Sequence, residues 1–600
     1  MVKSDRRQFM TAAGTGAALL AAGRTSAAPE RPNILWLVSE DNSPWLGCYG
    51  DPQATTPNLD RMAKGGVVFD NAFANVPVCA PARSTIHTGM YASCLGTEHM
   101  RSTNPMPEFA RFFTAYLREA GYYCVNGNKT DYNTTGTPDN AWDDRRILPS
   151  LKGLHKKQPF FCFVNFIVSH ESSLHKREDT DHAPAAMELA PYHPDTPEVR
   201  HDYAQYHDKI TELDRQIGDV LSELDERGLS EDTIVIYFSD HGGVLPRSKR
   251  MLYDTGMRVP MIARFPKKYR HLSPWGPGER AERLVSFVDL APTMLSLAGA
   301  EIPGHMQGSA FLGERAGKAP EFVYGFRGRM DERYDLSRAV TDGRWKYIRN
   351  FYPHLPRGRH LDYLWKMPAM QSWEAEYKAG RLGEVQSRFF QPKAVEELYD
   401  TKADPWEINN LADDPEHKER LERMRTKLRD LMFEIRDGGL LHEAEMRRRA
   451  DGGAPWHVFQ GDGYKLERLW EAAGLAAHPA DEDAGRLAAL LDDNDSGVRY
   501  WGAVGLSALG GVEKDALERA LGDESPSVRI AAAEALLKSG DSKRAKKAIR
   551  SRLLDTDVYV GAYAADALYN SGIDPDGYTS LLKNIALRRM RTKTGFNAVR

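Results

Sequence analysis

Two apolar runs of strand length, each followed at once by charged residues, constrain the fold of this chain more than any other feature. The runs cover residues 32–38 and 233–238. Strands that are apolar on both faces belong in a sheet covered by helices on both sides, and such sheets are mostly parallel. Because ligands of these sheets bind beyond the carboxyl ends of the strands, the charged residues after the runs are candidate metal ligands. They are Glu40, Asp41, Asp240 and His241.

Helical periodicity between the two runs completes an α/β pattern. From Tyr203 to Leu224, apolar residues recur on one stripe with the spacing of an amphipathic helix. Strands that alternate with helices predict a sheet sandwiched between helical layers. We therefore predict an α/β fold for the first half of the chain.

A smaller α+β subdomain is predicted at residues 331–445. Short strand-like runs lie on either side of the turn Asp342-Gly343, and a charged helical pattern covers about residues 415–436. Residues 446–480 are weakly patterned, and we interpret them as a connector.

Residues 481–580 contain a repeat with a period of roughly 31 residues. Each of three units has an Asp-rich turn, a Val, an Ala-rich helix and a closing Gly, at Gly510, Gly540 and Gly572. The pattern resembles HEAT-like helical repeats, with a plain Ala-rich bundle as the alternative. We predict a module that packs against the rest of the protein or presents a surface to a protein or glycan partner.

Residues 1–28 are typical of an export signal rather than of a folded segment. Arg6 and Arg7 precede an apolar run that reaches Ala22, and small residues follow at 26–28. This order predicts a twin-arginine signal and a periplasmic or otherwise extracytoplasmic protein; two arginines placed there by chance are the alternative. The run is too short to span a bilayer comfortably, and no later segment predicts a membrane span.

The charge and the cysteine content exclude several classes of protein. The formal net charge is −4 at pH 7, which gives no general attraction to nucleic acid. Five cysteines are too few for a disulfide scaffold, and no C-x-x-C pair is present to indicate a zinc ribbon or a thioredoxin-like motif.

Cys79 begins a Cys-Ala-Pro-Ala-Arg segment at residues 79–83. We predict that this segment lies in a loop between Phe73 and a helix that begins near Ser84. A cysteine close to a helix N-terminus and to an arginine is a candidate activated thiolate, because both favour negative charge. For an isolated segment of this kind, a buried structural cysteine is the alternative.

Seven ordered segments decide between these alternatives. Together they make the chain similar to the sulfatase family, within the alkaline-phosphatase-like superfamily, from about residue 31 to residue 435. The resemblance implies a mixed central sheet between helices and a catalytic domain at residues 29–330. The segments are 31–34, 56–60, 79–83, 121–129, 238–242, 249–260 and 285–293.

The resemblance implies that a maturation enzyme oxidises Cys79 to formylglycine. In the family, the hydrate of this aldehyde attacks sulfur, the ester alkoxide leaves, and re-formation of the aldehyde expels sulfate. Arg83 would stabilise the hydrate and the metal site. The Cys-x-Pro-x-Arg pattern is intact, with Ala at both variable positions where some relatives carry Ser.

The resemblance also implies one divalent cation. The family ligands correspond to Glu40, Asp41, Asp240 and His241, joined by the modified Cys79. Calcium is the usual ion, and it prefers hard oxygen ligands. Glu40 stands where Asp is commoner, and His241 stands where many sulfatases have Asn. Because an imidazole suits manganese or zinc better, these two ions stay open.

The sulfate-binding groups are implied by further matches to the family. His170 corresponds to a histidine that protonates the leaving group, and His175 is the alternative because the usual spacing of two histidines is not kept. The family pattern Lys-x-His reads Lys-Thr-Asp here. Asp131 therefore replaces the usual histidine, or His99 approaches from the preceding loop. The two lysines that match those holding the sulfate are Lys129 and Lys249.

We predict a sulfuric ester hydrolase that acts on a sulfated saccharide. Around residues 249–253 the chain is most similar to the sulfamidase branch, which cleaves N-sulfoglucosamine; a glycan O-sulfatase is equally compatible. Phosphodiesterases and phosphonate monoester hydrolases share the fold, the metal and formylglycine, and a phosphodiester carries one negative charge, as a sulfate ester does. A glycan-binding protein with an unmodified Cys79 is the third alternative.

Overall fold

The computed structural model describes residues 31–127, 129–136, 138, 140–146, 150–540 and 542–572. The predicted export signal at residues 1–28 lies outside these residues, as do Asn128 and the end of the predicted repeat region, residues 573–580. Among the described residues, no helix has the length and apolarity that crossing a membrane requires.

Twelve strands form two sheets in the described part of the chain. They are β1 (Asn33–Ser39), β2 (Val67–Phe73), β3 (Tyr123–Gly127), β4 (Asp144–Arg146), β5 (Phe160–Phe166), β6 (Thr233–Ser239), β7 (Met261–Arg264), β8 (Arg280–Ser286), β9 (Val323–Arg327), β10 (Ser337–Thr341), β11 (Trp345–Asn350) and β12 (Glu396–Asp400).

Nineteen α-helices are present in the same residues. They are α1 (Pro57–Gly65), α2 (Cys79–Thr88), α3 (Ala92–Leu95), α4 (Phe113–Glu119), α5 (Pro197–Glu226), α6 (Asp254–Met257), α7 (Leu290–Leu297), α8 (Pro368–Lys378), α9 (Glu384–Ser387), α10 (Lys418–Glu434), α11 (Glu443–Ala450), α12 (Pro455–Gln460), α13 (Leu466–Ala477), α14 (Ala484–Leu490), α15 (Ser496–Ala508), α16 (Lys514–Ala520), α17 (Pro526–Lys538), α18 (Lys543–Arg550) and α19 (Val558–Asn570).

The first sheet has eight strands in the order β4-β3-β5-β1-β6-β7-β2-β8. β1 lies between β5 and β6 and runs parallel to both, whereas β7 is antiparallel to β6 and to β2. Every residue of β1, β5 and β6 is buried, as expected for apolar strands covered on both faces. The predicted mixed central sheet is confirmed.

Side chains of β1 alternate between two hydrophobic cores. Trp36 belongs to one core, and Leu35 and Leu37 belong to the other, because successive residues of a strand point to opposite faces. The 30-residue helix α5 contributes to the second core. It begins after Thr196, whose hydroxyl accepts the N–H of Val199 and so caps the helix. The helical stripe predicted around Tyr203 is part of this helix.

The second sheet is antiparallel, in the order β12-β11-β10-β9. β10 and β11 are the strands predicted on either side of Asp342-Gly343, and Gly343 has a φ of 91°, which favours glycine. The predicted charged helix is α10, which packs against β10. Because β9 begins at Val323, this sheet starts before the predicted boundary at residue 331.

The three predicted repeat units correspond to α15, α17 and α19, each preceded by a shorter helix. Neighbouring long helices pack against each other, as in a solenoid whose repeats bury their apolar faces on their neighbours. The predicted connector, residues 446–480, contains α12 and α13, and α13 packs against α15. It is therefore part of the helical stack.

The repeat helices share one hydrophobic core with the predicted catalytic domain. Trp501 of α15 is 1% exposed, contacts the rings of Phe351 and Tyr352, and donates its Nε1–H to Leu440 O at 2.9 Å. The repeats are thus packed against the rest of the protein. Their binding of a protein or glycan partner stays a prediction.

Candidate functional site

The carboxyl ends of β1 and β6 bring two charged pairs together. Since the two strands are parallel and in register at their last residues, Glu40-Asp41 and Asp240-His241 leave the sheet side by side. The N–H of Asp41 donates to Asp240 Oδ1 at 3.2 Å. Asp41 has a φ of 52°, a left-handed conformation that is uncommon for residues with a side chain and that concentrates at functional sites.

Two overlapping sets of possible metal ligands lie at this edge of the sheet. Within each set the ligand atoms are all within 4.8 Å of one another. Every member except His170 is buried. The sets are Glu40, Asp41 and His170, and Asp41, Asp240 and His241.

The second set has the electrostatics of a cation site. His241 Nε2 lies 2.9 Å from Asp41 Oδ1, and neither atom has a hydrogen bond within the described residues. His241 Nδ1 lies 2.9 Å from Gly242 O; a proton on Nδ1 would point the Nε2 lone pair at the carboxylates. Burial lowers the pKa of His241, but Asp240 and Asp41 outweigh it and raise the pKa to about 10.

His241 Nε2 and Asp41 Oδ1 are two buried acceptors only 2.9 Å apart, and such a pair requires a positive charge beside it. The high pKa of His241 means that a proton supplies this charge when no metal does. A ligand histidine that donates its other ring N–H to a backbone carbonyl is typical of metal sites. The residues therefore fit a bound divalent cation.

Cys79 is the first residue of α2, Cys79–Thr88. The prediction that it lies in a loop before a helix starting near Ser84 is therefore wrong. Pro81 is tolerated because its missing N–H falls in the first turn, where helix N–H groups have no partner inside the helix. Cys79 is 2% exposed, so the candidate nucleophile stands at a buried helix N-terminus.

Arg83 lies four residues after Cys79, on the same face of α2. Its NH2 donates to Asp240 Oδ2 at 3.0 Å and to Asn165 Oδ1 at 2.6 Å. Asn165 Nδ2 in turn donates to Glu40 Oε1 at 2.6 Å. Arg83 and Asn165 therefore link α2, which begins at Cys79, to both charged pairs.

The two predicted sulfate-binding lysines lie against the candidate metal ligands. Lys129 Nζ donates to Glu40 Oε2 at 2.5 Å, and Lys249 Nζ donates to Asp41 Oδ2 at 2.6 Å. Burial raises the pKa of Glu40, but Lys129 and other nearby cations outweigh burial and lower the pKa to about 2. The carboxylates stay ionised because the lysines are present.

His170 is placed at the same edge, and His175 lies farther along the loop. His170 Nε2 is 3.8 Å from Glu40 Oε2, and the side chain is 20% exposed. Burial and then Lys249 lower its pKa. His175 packs on the ring of Tyr363, with centroids 4.5 Å apart, and mainly burial lowers its pKa to about 4. His170 is therefore placed beside the candidate metal ligands, and its role as the proton donor stays a prediction.

Asp131 rather than His99 lies beside the candidate nucleophile, Cys79. Asp131 Oδ2 is 3.9 Å from Cys79 Sγ, and Arg101 NH1 is 3.8 Å from Asp131 Oδ2. His99 packs on Tyr334, and its Nδ1 accepts the N–H of Arg329 at 3.0 Å. The structure therefore places Asp131 beside Cys79, and its role in place of the usual histidine stays a prediction.

Sequence reasoning missed a buried ion network beneath Lys249. The N–H of Glu171 donates to Asp41 Oδ2 at 2.8 Å, and its carboxylate accepts both NH1 and NH2 of Arg250 at 2.9 Å. Asp331 accepts Arg250 Nε at 3.0 Å, and Lys249 Nζ lies 3.3 Å from Glu171. The position of Glu171 next to His170 was a usable signal; Asp331 carried none.

Asn165 and Arg101 were also missed. A polar Asn165 inside the otherwise apolar strand β5 is a signal, because buried polar groups need a specific partner. Arg101 has a φ of 60°, which no sequence pattern indicates.

Three family models match the chain. Sulfatase matches residues 32–300, N-sulphoglucosamine sulphohydrolase, C-terminal, matches residues 246–362, and HEAT repeats match residues 484–569. The last match agrees with the predicted repeat region.

Known sulfatases match most of the chain. An ulvan-active sulfatase of Formosa agariphila is 37% identical over 477 residues, covering 71% of this chain and 79% of the relative. Human N-sulphoglucosamine sulphohydrolase is 27% identical over 481 residues, covering 70% and 93%. The solved structure of a 2-O GAG sulfatase has a TM-score of 0.51 at 20% identity, covering 68% and 93%. At this identity the structural likeness concerns the fold alone.

Proposed function

Since the chain belongs to the sulfatase family and is a sulfuric ester hydrolase, we propose that it removes O-linked sulfate from a saccharide of a sulfated polysaccharide. We propose that its nucleophile is a formylglycine made from Cys79. The observation that carries the proposal is the convergence of Cys79, two lysines and the candidate metal ligands at one edge of the sheet. A maturation enzyme would supply the formylglycine. We further propose that residues 1–28 direct export by the twin-arginine pathway.

The proposed cofactor is one divalent cation held by Glu40, Asp41, Asp240 and His241, together with the modified Cys79. When bound, such a cation lowers the pKa of the nucleophile and holds a sulfate oxygen. Calcium fits the three carboxylates, while the imidazole of His241 suits manganese or zinc. We propose calcium as the bound ion; His241 is the ligand that makes manganese and zinc the alternatives.

The chain's own residues account for binding and proton transfer. On substrate binding, Lys129 would weaken its hydrogen bond to Glu40, and Lys249 its hydrogen bond to Asp41, and each lysine would donate to a sulfate oxygen. Such charge-assisted hydrogen bonds stabilise the negative charge that develops as the ester bond breaks. Arg83 would hold the nucleophile against the metal ligands. His170, which is partly exposed, would give a proton to the departing alkoxide oxygen.

The choice of an O-sulfated saccharide rests on two relatives. The ulvan-active sulfatase is 37% identical, whereas N-sulphoglucosamine sulphohydrolase is 27% identical. The match of the N-sulphoglucosamine sulphohydrolase, C-terminal, model at residues 246–362 supports N-sulfated glucosamine as the second candidate substrate.

A panel of defined substrates tests the proposal. Purified protein that carries the modification would be incubated with O-sulfated saccharides, N-sulfoglucosamine, a phosphodiester and a phosphonate monoester, and released sulfate or phosphorus acid would be quantified. We expect the highest kcat/KM on an O-sulfated saccharide. Faster hydrolysis of the phosphonate or phosphodiester than of every sulfated compound would contradict the proposal.

A further inference from the structure

The loop at residues 97–104 lies between the site and the last repeat helix. On the side of the loop that faces the site, Arg101 NH1 is 3.8 Å from Asp131 Oδ2, and Asp131 Oδ2 is 3.9 Å from Cys79 Sγ. The side chain of Arg101 is 15% exposed. Only Asp131 therefore stands between its guanidinium and the candidate nucleophile, and the Nε and NH1 atoms of the guanidinium are buried.

Tyr559 of α19 holds the backbone of this loop. Its hydroxyl donates to Arg101 O at 3.2 Å and accepts the N–H of Thr103 at 3.0 Å. The ring is 2% exposed and lies under the guanidinium groups of Arg447 and Arg329, at 4.4 and 5.5 Å from its centroid. The ring of Tyr559 is therefore packed against two arginines.

Arg101 needs such support because its φ of 60° lies in the left-handed region, which is unfavourable for a residue with a side chain and persists only where the surroundings impose it. The hydroxyl of Tyr559 bonds the carbonyl of Arg101 and the N–H of Thr103, so it fixes the backbone directly after the residue with the unfavourable φ. Losing the hydroxyl would relax the loop.

The same loop is tied to Asp131 from the other side. Asn133 Oδ1 accepts the N–H of Ser102 at 2.9 Å, and Asn133 Nδ2 donates to Thr97 O and His99 O at 2.5 and 2.8 Å. Asn133 is two residues from Asp131, so these three hydrogen bonds attach the loop to the segment that bears Asp131, while Tyr559 bonds the same loop from α19. Tyr559 therefore bears on the position of Arg101 relative to Asp131.

We propose that the third repeat forms part of the active-site wall, in which Tyr559 is a positioning residue that holds Arg101 beside the nucleophile so that Arg101 binds an anionic oxygen of the sulfated substrate. A cation at this point offsets the negative charge of Asp131, which alone would repel a sulfate group approaching Cys79. This inference rests on the proposed sulfatase function.

A second contact from the same helix supports this role. Asp566 accepts Arg333 NH1 at 3.0 Å and the N–H of Tyr334 at 3.1 Å. These residues follow Asp331, which bonds Arg250 in the ion network beneath Lys249. The repeat helix thus touches both loops that flank the site.

The test is a double-mutant cycle with Tyr559→Phe and Arg101→Ala, measured on the full chain carrying the modification. We expect Arg101→Ala to lower kcat/KM on the substrate found by the panel by roughly ten- to a hundredfold, since hydrogen bonds to charged groups are the strong ones. Tyr559→Phe should lower it by about fivefold. If Tyr559 acts through Arg101, adding Tyr559→Phe to Arg101→Ala should change nothing further.

Tyr563→Phe is the matched control. It removes a hydroxyl from the same helix, where the ring packs on Tyr500 inside the repeats, and it should leave kcat/KM unchanged. Calorimetric binding of inorganic sulfate gives a readout apart from turnover, and both Arg101→Ala and Tyr559→Phe should weaken it.

Three results would overturn the inference. They are wild-type kcat/KM in Tyr559→Phe, full additivity of the two substitutions, and equal losses in Tyr559→Phe and Tyr563→Phe that follow a lowered melting temperature. A different result would contradict the proposed function and not this inference: the parent protein binds sulfate more tightly than Tyr559→Phe but hydrolyses no sulfate ester.

Discussion

The carboxyl end of the eight-stranded sheet and the repeat stack, α14–α19, bury carboxylates with opposite outcomes. Glu40 is 1% exposed and Glu534 of α17 is 7% exposed. Burial raises the pKa of both, but Lys129 and other cations lower that of Glu40 to about 2, whereas Lys538 is too weak a partner and the pKa of Glu534 is raised to about 7. Neighbouring charges, rather than depth, decide whether a buried carboxylate stays ionised.

The difference reflects what each region does. The sheet end gathers ionised groups around two acceptors that face each other, which is costly for folding and useful for holding a cation and an anionic substrate. The repeat stack buries small apolar side chains such as Ala531, Ala532 and Ala533, which contribute packing. Substitutions at the sheet end should therefore change chemistry, and substitutions in the repeat stack away from Tyr559 should change stability.

The largest expected effect is at Cys79. Cys79→Ala removes the nucleophile and should lower kcat by more than about 10⁴-fold while leaving the melting temperature close to that of the parent. Cys124→Ala is the control, since this buried thiol faces Thr114 O at 3.6 Å, away from the site. Peptide mass spectrometry of the active protein should show residue 79 lighter by the change from thiol to aldehyde; equal activity of the unmodified thiol would refute the mechanism.

Metal ligands should give the next largest effect. Asp41→Asn should lower both bound metal and kcat/KM by at least about a hundredfold, and exhaustive chelation should do the same to the parent protein. Asp202→Asn, at a buried carboxylate that accepts the N–H of Ala369, is the control and should keep the metal. His241→Asn should shift ion preference toward calcium. A protein without metal by elemental analysis and indifferent to chelators would exclude the site.

In the repeat stack, Trp501→Ala should affect stability and not chemistry. It leaves a cavity and an unpaired Leu440 carbonyl, and we expect a loss of about 3–5 kcal/mol in the free energy of unfolding. Urea unfolding measures this loss, and kcat per folded molecule should stay within about twofold of the parent. A large fall in kcat without loss of stability would show that the two regions are not separable at this contact.

The smallest effect should come from Glu534. Because its pKa in the folded protein, about 7, lies above its ordinary value of 4.5, the stability it contributes is full below that ordinary pKa and is lost as pH rises through about 7. Glu534→Gln should therefore raise stability at pH 8 by roughly 1–2 kcal/mol and not at pH 4. Glu524→Gln, at a side chain 69% exposed, should show no such difference between the two pH values.

Several features of the fold and of the site could be predicted from local sequence. The runs that became β1 and β6 are apolar on both faces, so they had to lie inside a covered sheet, and their carboxyl ends had to carry the charged pairs. The repeat was visible because the same pattern recurs at a fixed spacing. The start of α2 was predicted near Ser84 but lies at Cys79, since a proline such as Pro81 is tolerated in the first turn of a helix.

The sequence by itself determined which residues could do chemistry, since strand periodicity and motif spacing are local properties of the chain. Only the tertiary structure decided that Asp131 rather than His99 faces Cys79, that Glu171 and Arg250 support Lys249, and that a repeat helix reaches the site. Tyr559 and Arg101 are 458 residues apart in the chain. Contacts between residues so far apart in the chain depend on how whole helices and strands pack. Because hydrophobic burial is non-directional, the local sequence around each residue carries no pattern that identifies its partner.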